Sequence, residues 1–233
     1  VYDCVDRHSA YGGLMDAALV DAMELELAAK CDMVFATAEG LWERLRAVNP
    51  HGACIPNGAN FELFHRAASP QPVPADLAGI PGPIFGFVGA RQSCIEYGWG
   101  ERAARARGDW SFVFIGAPKP GADLSALEPL PNVHFLGLKP HEQLPEYLAA
   151  FDVCLNLFAE SDLSRDVSPL KFYEYLATGK PIVSTPQPEQ VLPYGEIIHI
   201  ARSAEDFVDQ CAAALADTDP ARGGAPGGAR PGP

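Results

Sequence analysis

Short apolar runs rich in valine, isoleucine and phenylalanine recur along this chain, and between them apolar residues fall at helical spacing. Val1 to Val5 reads as a strand broken by Asp6-Arg-His-Ser9. Leu14 to Lys30 keeps a helical period through Leu14, Ala18, Met23 and Leu27, with acids interspersed. Met33 to Ala36 predicts a strand and Glu39 to Val48 a helix with Leu41, Trp42 and Leu45 on one side. Ala53 to Ile55 then runs into the turn Pro56-Asn-Gly58. Ser69 to Pro83 holds five prolines in fifteen residues and little periodicity, as a linker does.

Beyond the linker the alternation restarts. Strands are predicted over Ile84 to Val88, Ser111 to Ile115, Val133 to Leu136, Asp152 to Leu157, Pro181 to Ser184 and Glu196 to Ile200. Helices fall near 95–107, 141–150, 169–178 and 203–216. Gly98 and Gly100 weaken the first of these by about 1 kcal/mol each relative to alanine. Continuously apolar strands alternating with helices predict an α/β fold whose parallel sheet is covered on both faces. Ligands bind such sheets beyond the carboxyl ends of the strands, so loops 89–93, 116–121, 137–140, 158–168 and 185–189 should share one rim. Ala221 to Pro233 contains only Gly, Pro, Ala and Arg and has nothing to build a core from.

Composition narrows the partners. The formal net charge of −13 argues against nucleic acid, whose phosphates are gripped by Lys/Arg-rich faces. Six cysteines (4, 31, 54, 94, 154, 211) are scattered without a C-x-x-C pair, which favours reduced thiols in a cytoplasmic protein. Six histidines show no metal-ligand spacing, so no metal site is expected. No apolar run reaches membrane-spanning length, and no signal peptide is expected from the residues present. The chain begins on Val1 in a strand already under way, and is read as a fragment whose beginning is missing.

The segment with most chemistry is Asp166 to Thr185. No G-x-G-x-x-G follows a strand, Gly179-Lys180 is followed by proline where a P-loop needs Ser or Thr, and no G-x-S-x-G is present. Instead Asp166 and Glu174 stand eight positions apart around a helix opened by Pro169 and closed by Gly179. Asp166 and Ser168 sit where helices are capped, and the helix N-terminus could face an anion. On spacing alone, a ligand site and an ordinary cap with a solvent-facing acid fit about equally.

The segment resembles the E-x7-E motif of retaining GT-B glycosyltransferases of the family 4 type. Glu174-Tyr-Leu-Ala-Thr-Gly179-Lys-Pro181-Ile-Val183 is similar to that motif's usual continuation. Ile55-Pro-Asn57-Gly58-Ala-Asn60-Phe-Glu-Leu-Phe64 resembles the family's hinge motif. Phe85-Gly-Phe-Val-Gly89, Phe112-Val-Phe-Ile-Gly116, Asn132 to Gly137 and Leu144 to Phe158 are similar to its donor domain. The nearest likeness is to bacterial cell-surface polysaccharide members of the teichuronic-acid type.

The resemblance implies a Rossmann-like donor domain at 84–217 and part of a second Rossmann-like domain on the acceptor side at 1–68; the Pro-rich stretch 69–83 is read as the hinge between them, and composition predicts a disordered tail at 218–233. Glu174 would hold the donor ribose, Asp166 the transferred sugar, and His8, or Asp6, would be presented to the reacting sugar. Val167, Ser168 and Leu170 would offer main-chain N–H groups, and Leu138 and Lys139 main-chain contacts to the base. Arg91 would take the family's phosphate-binding arginine position, while the lysine expected a few residues later is replaced among Gln92, Ser93, Cys94, Ile95 and Glu96. Gly89, Gly116, Lys171 and Glu189 complete the expected donor-binding set. The implied activity is metal-independent, retaining transfer of a sugar from a UDP- or GDP-sugar to a glycan or lipid-linked acceptor, in cell-surface polysaccharide synthesis. It needs no cofactor beyond the nucleotide-sugar co-substrate. The full-length enzyme would work in the cytoplasm, at the inner face of a membrane, and this fragment alone would turn over weakly or not at all. The alternatives are a non-catalytic nucleotide-sugar-binding module and, less favoured, a GT-B-fold epimerase.

Overall fold

In a computed structural model, residues 1–11, 16–161, 164 and 166–217 are described. The tail expected at 218–233 and Leu14 lie outside them. Two parallel sheets form. The smaller has the order β1-β2-β3, built from Tyr2–Cys4, Val34–Ala36 and Gly52–Cys54. Its helices are α1 (Ala17–Lys30) and α2 (Glu39–Arg46). Asp16 caps α1 by accepting a hydrogen bond from Leu19 N at 3.0 Å. The helical period seen from Met23 and Leu27 does not mark the buried side of α1: Leu19, Met23 and Leu27 are exposed, and Glu24 and Ala28 are buried. Glu24 can face inward because Tyr2 Oη, Cys4 Sγ and the Arg44 guanidinium all donate to it. Burial acts to raise its pKa, but those donors prevail and hold the carboxyl below its ordinary range.

The larger sheet has the order β6-β5-β4-β7-β8-β9. Its strands are β4 (Ile84–Val88), β5 (Ser111–Ile115), β6 (Val133–Gly137), β7 (Val153–Asn156), β8 (Ile182–Ser184) and β9 (His199–Ile200). The chain enters at β4, builds outward through β5 and β6, then crosses to β7 on the other flank. The boundary between β4 and β7 is therefore the topological switch point, where the strand ends leave a crevice.

Alternate residues serve opposite faces. Phe85, Phe87, Phe112, Phe114, Leu155 and Leu157 pack with Trp110 against α4 (Tyr97–Ala106) and the C-terminal helix, here α7 (Ala204–Ala216). Ile84, Val88, Val113, Ile115 and Cys154 pack against α5 (Leu144–Ala150) and α6 (Leu170–Thr178). Each large apolar side chain so buried contributes about 1.5–3 kcal/mol. Gly86 is required by a close approach: a Cβ there would lie 2.0 Å from the Phe151 ring. Phe64 and Ala67, in and just after α3 (Phe61–Phe64), belong to the second face, as do Leu77 and Ile80 of the Pro-rich stretch. That stretch is thus tied to the larger sheet through side chains as well as by the chain itself.

All six cysteines are free; Cys4, Cys94, Cys154 and Cys211 are buried, and Cys31 and Cys54 partly so. Among the described residues no helix is long and apolar enough to cross a membrane.

Candidate donor site

The rim begins with two glycine turns. Gly89, after β4, has φ +151 and Gly116, after β5, has φ +139. Gly89 N donates to Ile115 O at 2.9 Å and Gly116 N to Gly137 O at 2.8 Å. A Cβ on Gly116 would stand 2.0 Å from Gly89 O, so the close stacking of these turns excludes any side chain there.

Helix α6 crosses above the switch point. Pro169 itself occupies its capping position with no side-chain cap, and the helix proper starts at Leu170. Asp166 and Ser168, expected as caps, are engaged elsewhere. Gly179 ends the helix in the left-handed conformation at φ 69. Tyr175 Oη accepts from Val88 N at 2.7 Å, pinning the helix to the end of β4. This fixes two side chains one turn apart, Lys171 and Glu174, over the strand ends.

Glu174 is 6% exposed, and its Oε1 lies 2.9 Å from His141 Nε2. His141 comes from the loop after β6, and its ring meets Phe64 edge-on at 5.1 Å. With Nε2–H donating to Oε1, Oε2 keeps its capacity to accept a ligand hydroxyl. The Lys171 ammonium lies 4.8 Å from the Phe87 ring centre and 4.4 Å from that of Phe158. Burial lowers its pKa to about 8.

The remaining expected residues are distributed as follows. Arg91 is buried, its Nε donating to Gly116 O at 3.2 Å and its guanidinium lying 4.8 Å above the Phe135 ring. It braces the 89–91 loop against the 116–119 loop. Lys139 pairs with Asp76 at 2.5 Å, and Asp76 also accepts from Tyr147 at 2.9 Å, tying the rim to the Pro-rich stretch. Leu138, Leu170 and Glu189 are exposed, and Val167 is partly buried against the aromatic core.

Asp166 is nearly buried at the seam with the smaller sheet. One oxygen lies 3.8 Å from the Arg7 guanidinium, and a Cβ on Gly40 would stand 2.1 Å from the other. A side chain at position 40, at the start of α2, would displace this carboxylate. Its neighbour Ser168 accepts twice from Asn57: N to Oγ at 2.9 Å, and Nδ2 to the main-chain O at 2.8 Å. His8 is exposed and opens a turn at His8–Tyr11; the loop meets the rim through Arg7, and the charge of Asp6 is felt at Cys94.

His141, Asn57, Gly40, Arg7 and the rings of Phe87 and Phe158 are the contributors that sequence reasoning missed. Asn57 carried a signal as part of Ile55-Pro-Asn57-Gly58, and Phe87 and Phe158 lay within the stretches similar to the donor domain; His141, Gly40 and Arg7 carried none.

Residues 98–217, which run from α4 to α7 and carry Gly116, His141, Asp166, Lys171 and Glu174 of this rim, match the family described as Glycosyl transferases group 1. The chain belongs to that family. As a group 1 glycosyl transferase chain it is 28% identical over 201 residues to TuaH of Bacillus subtilis (strain 168), a protein named as a teichuronic acid biosynthesis glycosyltransferase. The match covers 81% of this chain and 50% of TuaH, so the chain spans about half the length of that relative. Its fold is of the GT-B type. HepE of Anabaena, solved in complex with UDP, superposes with a TM-score of 0.71 at 15% identity, over 96% of this chain and 65% of that one. Sucrose-phosphate synthase of Thermosynechococcus elongatus gives a TM-score of 0.65 at 21% identity, over 88% of this chain and 54% of that one.

Proposed function

We propose that this chain carries the donor site of a glycosyltransferase that moves a sugar from a UDP- or GDP-sugar to a glycan or lipid-linked acceptor. The observation that carries the reading is the buried Glu174 carboxylate, held on one oxygen by His141 above the β4–β7 switch point. A ribose diol is a pair of donors suited to the other oxygen. The family membership and the likeness to TuaH support transfer as the reaction and cell-surface polysaccharide as its setting. Retention of configuration and independence from metal are part of the proposal, as is work at the inner face of a membrane.

A transfer assay tests it. The protein is given radiolabelled UDP- or GDP-sugars and a lipid-linked glycan acceptor in the presence of EDTA, and the product's anomeric configuration is read by NMR. Transfer with retained configuration supports the reading. Nucleotide-sugar binding without transfer supports the alternative of a binding module, which the engagement of Asp166 with Arg7 favours. Inverted product overturns the retaining mechanism.

A further inference from the structure

We propose that Arg7, carried by the smaller sheet, is a specificity-determining residue for the donor's sugar: its guanidinium and the Asp166 carboxylate together grip one sugar hydroxyl. The inference rests on the donor-site reading above, with Asp166 facing the transferred sugar. It adds to that site a residue from outside the family-matched segment 98–217.

Three observations converge. The first is reach. The loop after β1 meets the rim on two sides: Arg7 Nη1 lies 3.8 Å from Asp166 Oδ2, and the charge of Asp6 is felt at Cys94 in the loop after β4. The second is the gap. At 3.8 Å the two groups attract without a hydrogen bond between them. Arg7 Nη2 stands at the same distance from Asp21, and among the described residues the guanidinium makes no hydrogen bond. The third is fixation. Asp21 draws the guanidinium and is itself held, accepting from Ser9 Oγ at 2.7 Å and from Arg44 Nη1 at 3.2 Å. Arg44 also donates to the buried Glu24, so charges alternate from the core of the smaller sheet to the rim: Glu24, Arg44, Asp21, Arg7, Asp166. On the far side, Asp166 Oδ1 lies so close to Gly40 that a Cβ there would stand 2.1 Å from it, and Asn57 holds Ser168 by two hydrogen bonds.

A guanidinium only donates and an ionised carboxylate only accepts. The group that satisfies both at once is one that accepts and donates, as a hydroxyl does. A hydroxyl oxygen about 2.8 Å from each partner spans the gap, taking a hydrogen bond from Arg7 and giving one to Asp166. Both partners are set in place before a sugar arrives, so little ordering is left to offset the contact. A sugar without that hydroxyl leaves two desolvated charges unbridged. A site built around such groups rejects the analogue lacking the hydroxyl far more strongly than an apolar pocket rejects a missing methylene.

The test is a calorimetric titration of wild type, R7M and R7K with UDP and GDP, with UDP-glucose and GDP-mannose, and with analogues of these two donors in which each sugar hydroxyl in turn is replaced by hydrogen or by fluorine. The Arg7 side chain is partly exposed, and thermal melting confirms that R7M is folded. R7M should bind the bare nucleotides as wild type does and lose about tenfold in affinity for the sugar-bearing donor, with partial rescue in R7K. At one sugar position the wild type should rank hydroxyl over fluorine over hydrogen, because fluorine still accepts from Arg7; in R7M fluorine and hydrogen should bind alike. A ratio of donor to nucleotide affinity that is unchanged in folded R7M overturns the proposal and leaves the donor-site reading standing, as does a fluorine-over-hydrogen preference that survives in R7M. Failure of the wild type to bind either donor overturns both.

Discussion

Replacing Lys171 by methionine should stabilise the unliganded protein. Burial beside Phe87 and Phe158 lowers the ammonium from its ordinary 10.5 to about 8, with Cys94 and Glu174, the titratable groups facing it, acting weakly in the other direction. At about 1.4 kcal/mol for each tenfold step, holding the charge there costs about 3.5 kcal/mol. The two ring faces return about 0.5–2 kcal/mol of that. K171M should therefore gain about 1.5–3 kcal/mol at neutral pH. The dependence on pH has a definite sign. Below pH 8 the lysine is charged both folded and unfolded, and the cost is present in full. Between about 8 and 10.5 the unfolded chain holds a proton that the folded chain has released, so wild-type stability rises with pH relative to K171M. Urea denaturation of both proteins near pH 7 and near pH 10 reads the difference. K171M less stable than wild type near pH 7, or a gap that is the same at both pH values, refutes the reasoning.

His141→Phe should preserve packing on Phe64 but release Glu174; titration with UDP and 2′-deoxy-UDP should show a reduced preference for the ribose form. Asn57→Ala removes the side-chain bond to Ser168 O and should cost about 1–2 kcal/mol, measured as a lower urea midpoint. Gly86→Ala forces a methyl against the Phe151 ring and should cost about 1–3 kcal/mol, with a drop in melting temperature.

The larger sheet was legible because its strands are buried on both faces. Ile84–Val88 and Ser111–Ile115 match their predicted bounds residue for residue. The last strand was overextended: Ile197 and Ile198 give their N–H groups to Tyr194 O in a turn, which leaves only His199–Ile200 in the sheet. Pro169 and Gly179 marked the ends of α6 correctly to within a residue. The capping expectation failed for a non-local reason, since the Ser168 hydroxyl is taken by Asn57, 111 positions earlier. The inward turn of Glu24 was hidden in the same way, because its donors come from β1 and α2. At the site, residue identity pointed to Glu174, but spacing could not reveal His141, nor that Arg91 would lie on Phe135 while Lys171 stood at Gly89 over the rings of Phe87 and Phe158.

The central claim is a nucleotide-sugar site over the β4–β7 switch point that depends on Glu174. Calorimetric titration of wild type and E174A with UDP-glucose and GDP-mannose tests it most directly. The account predicts saturable binding of at least one donor to wild type, and at least about a tenfold weaker interaction for folded E174A. Binding that is unchanged in E174A, or absent from wild type for both donors, would contradict it.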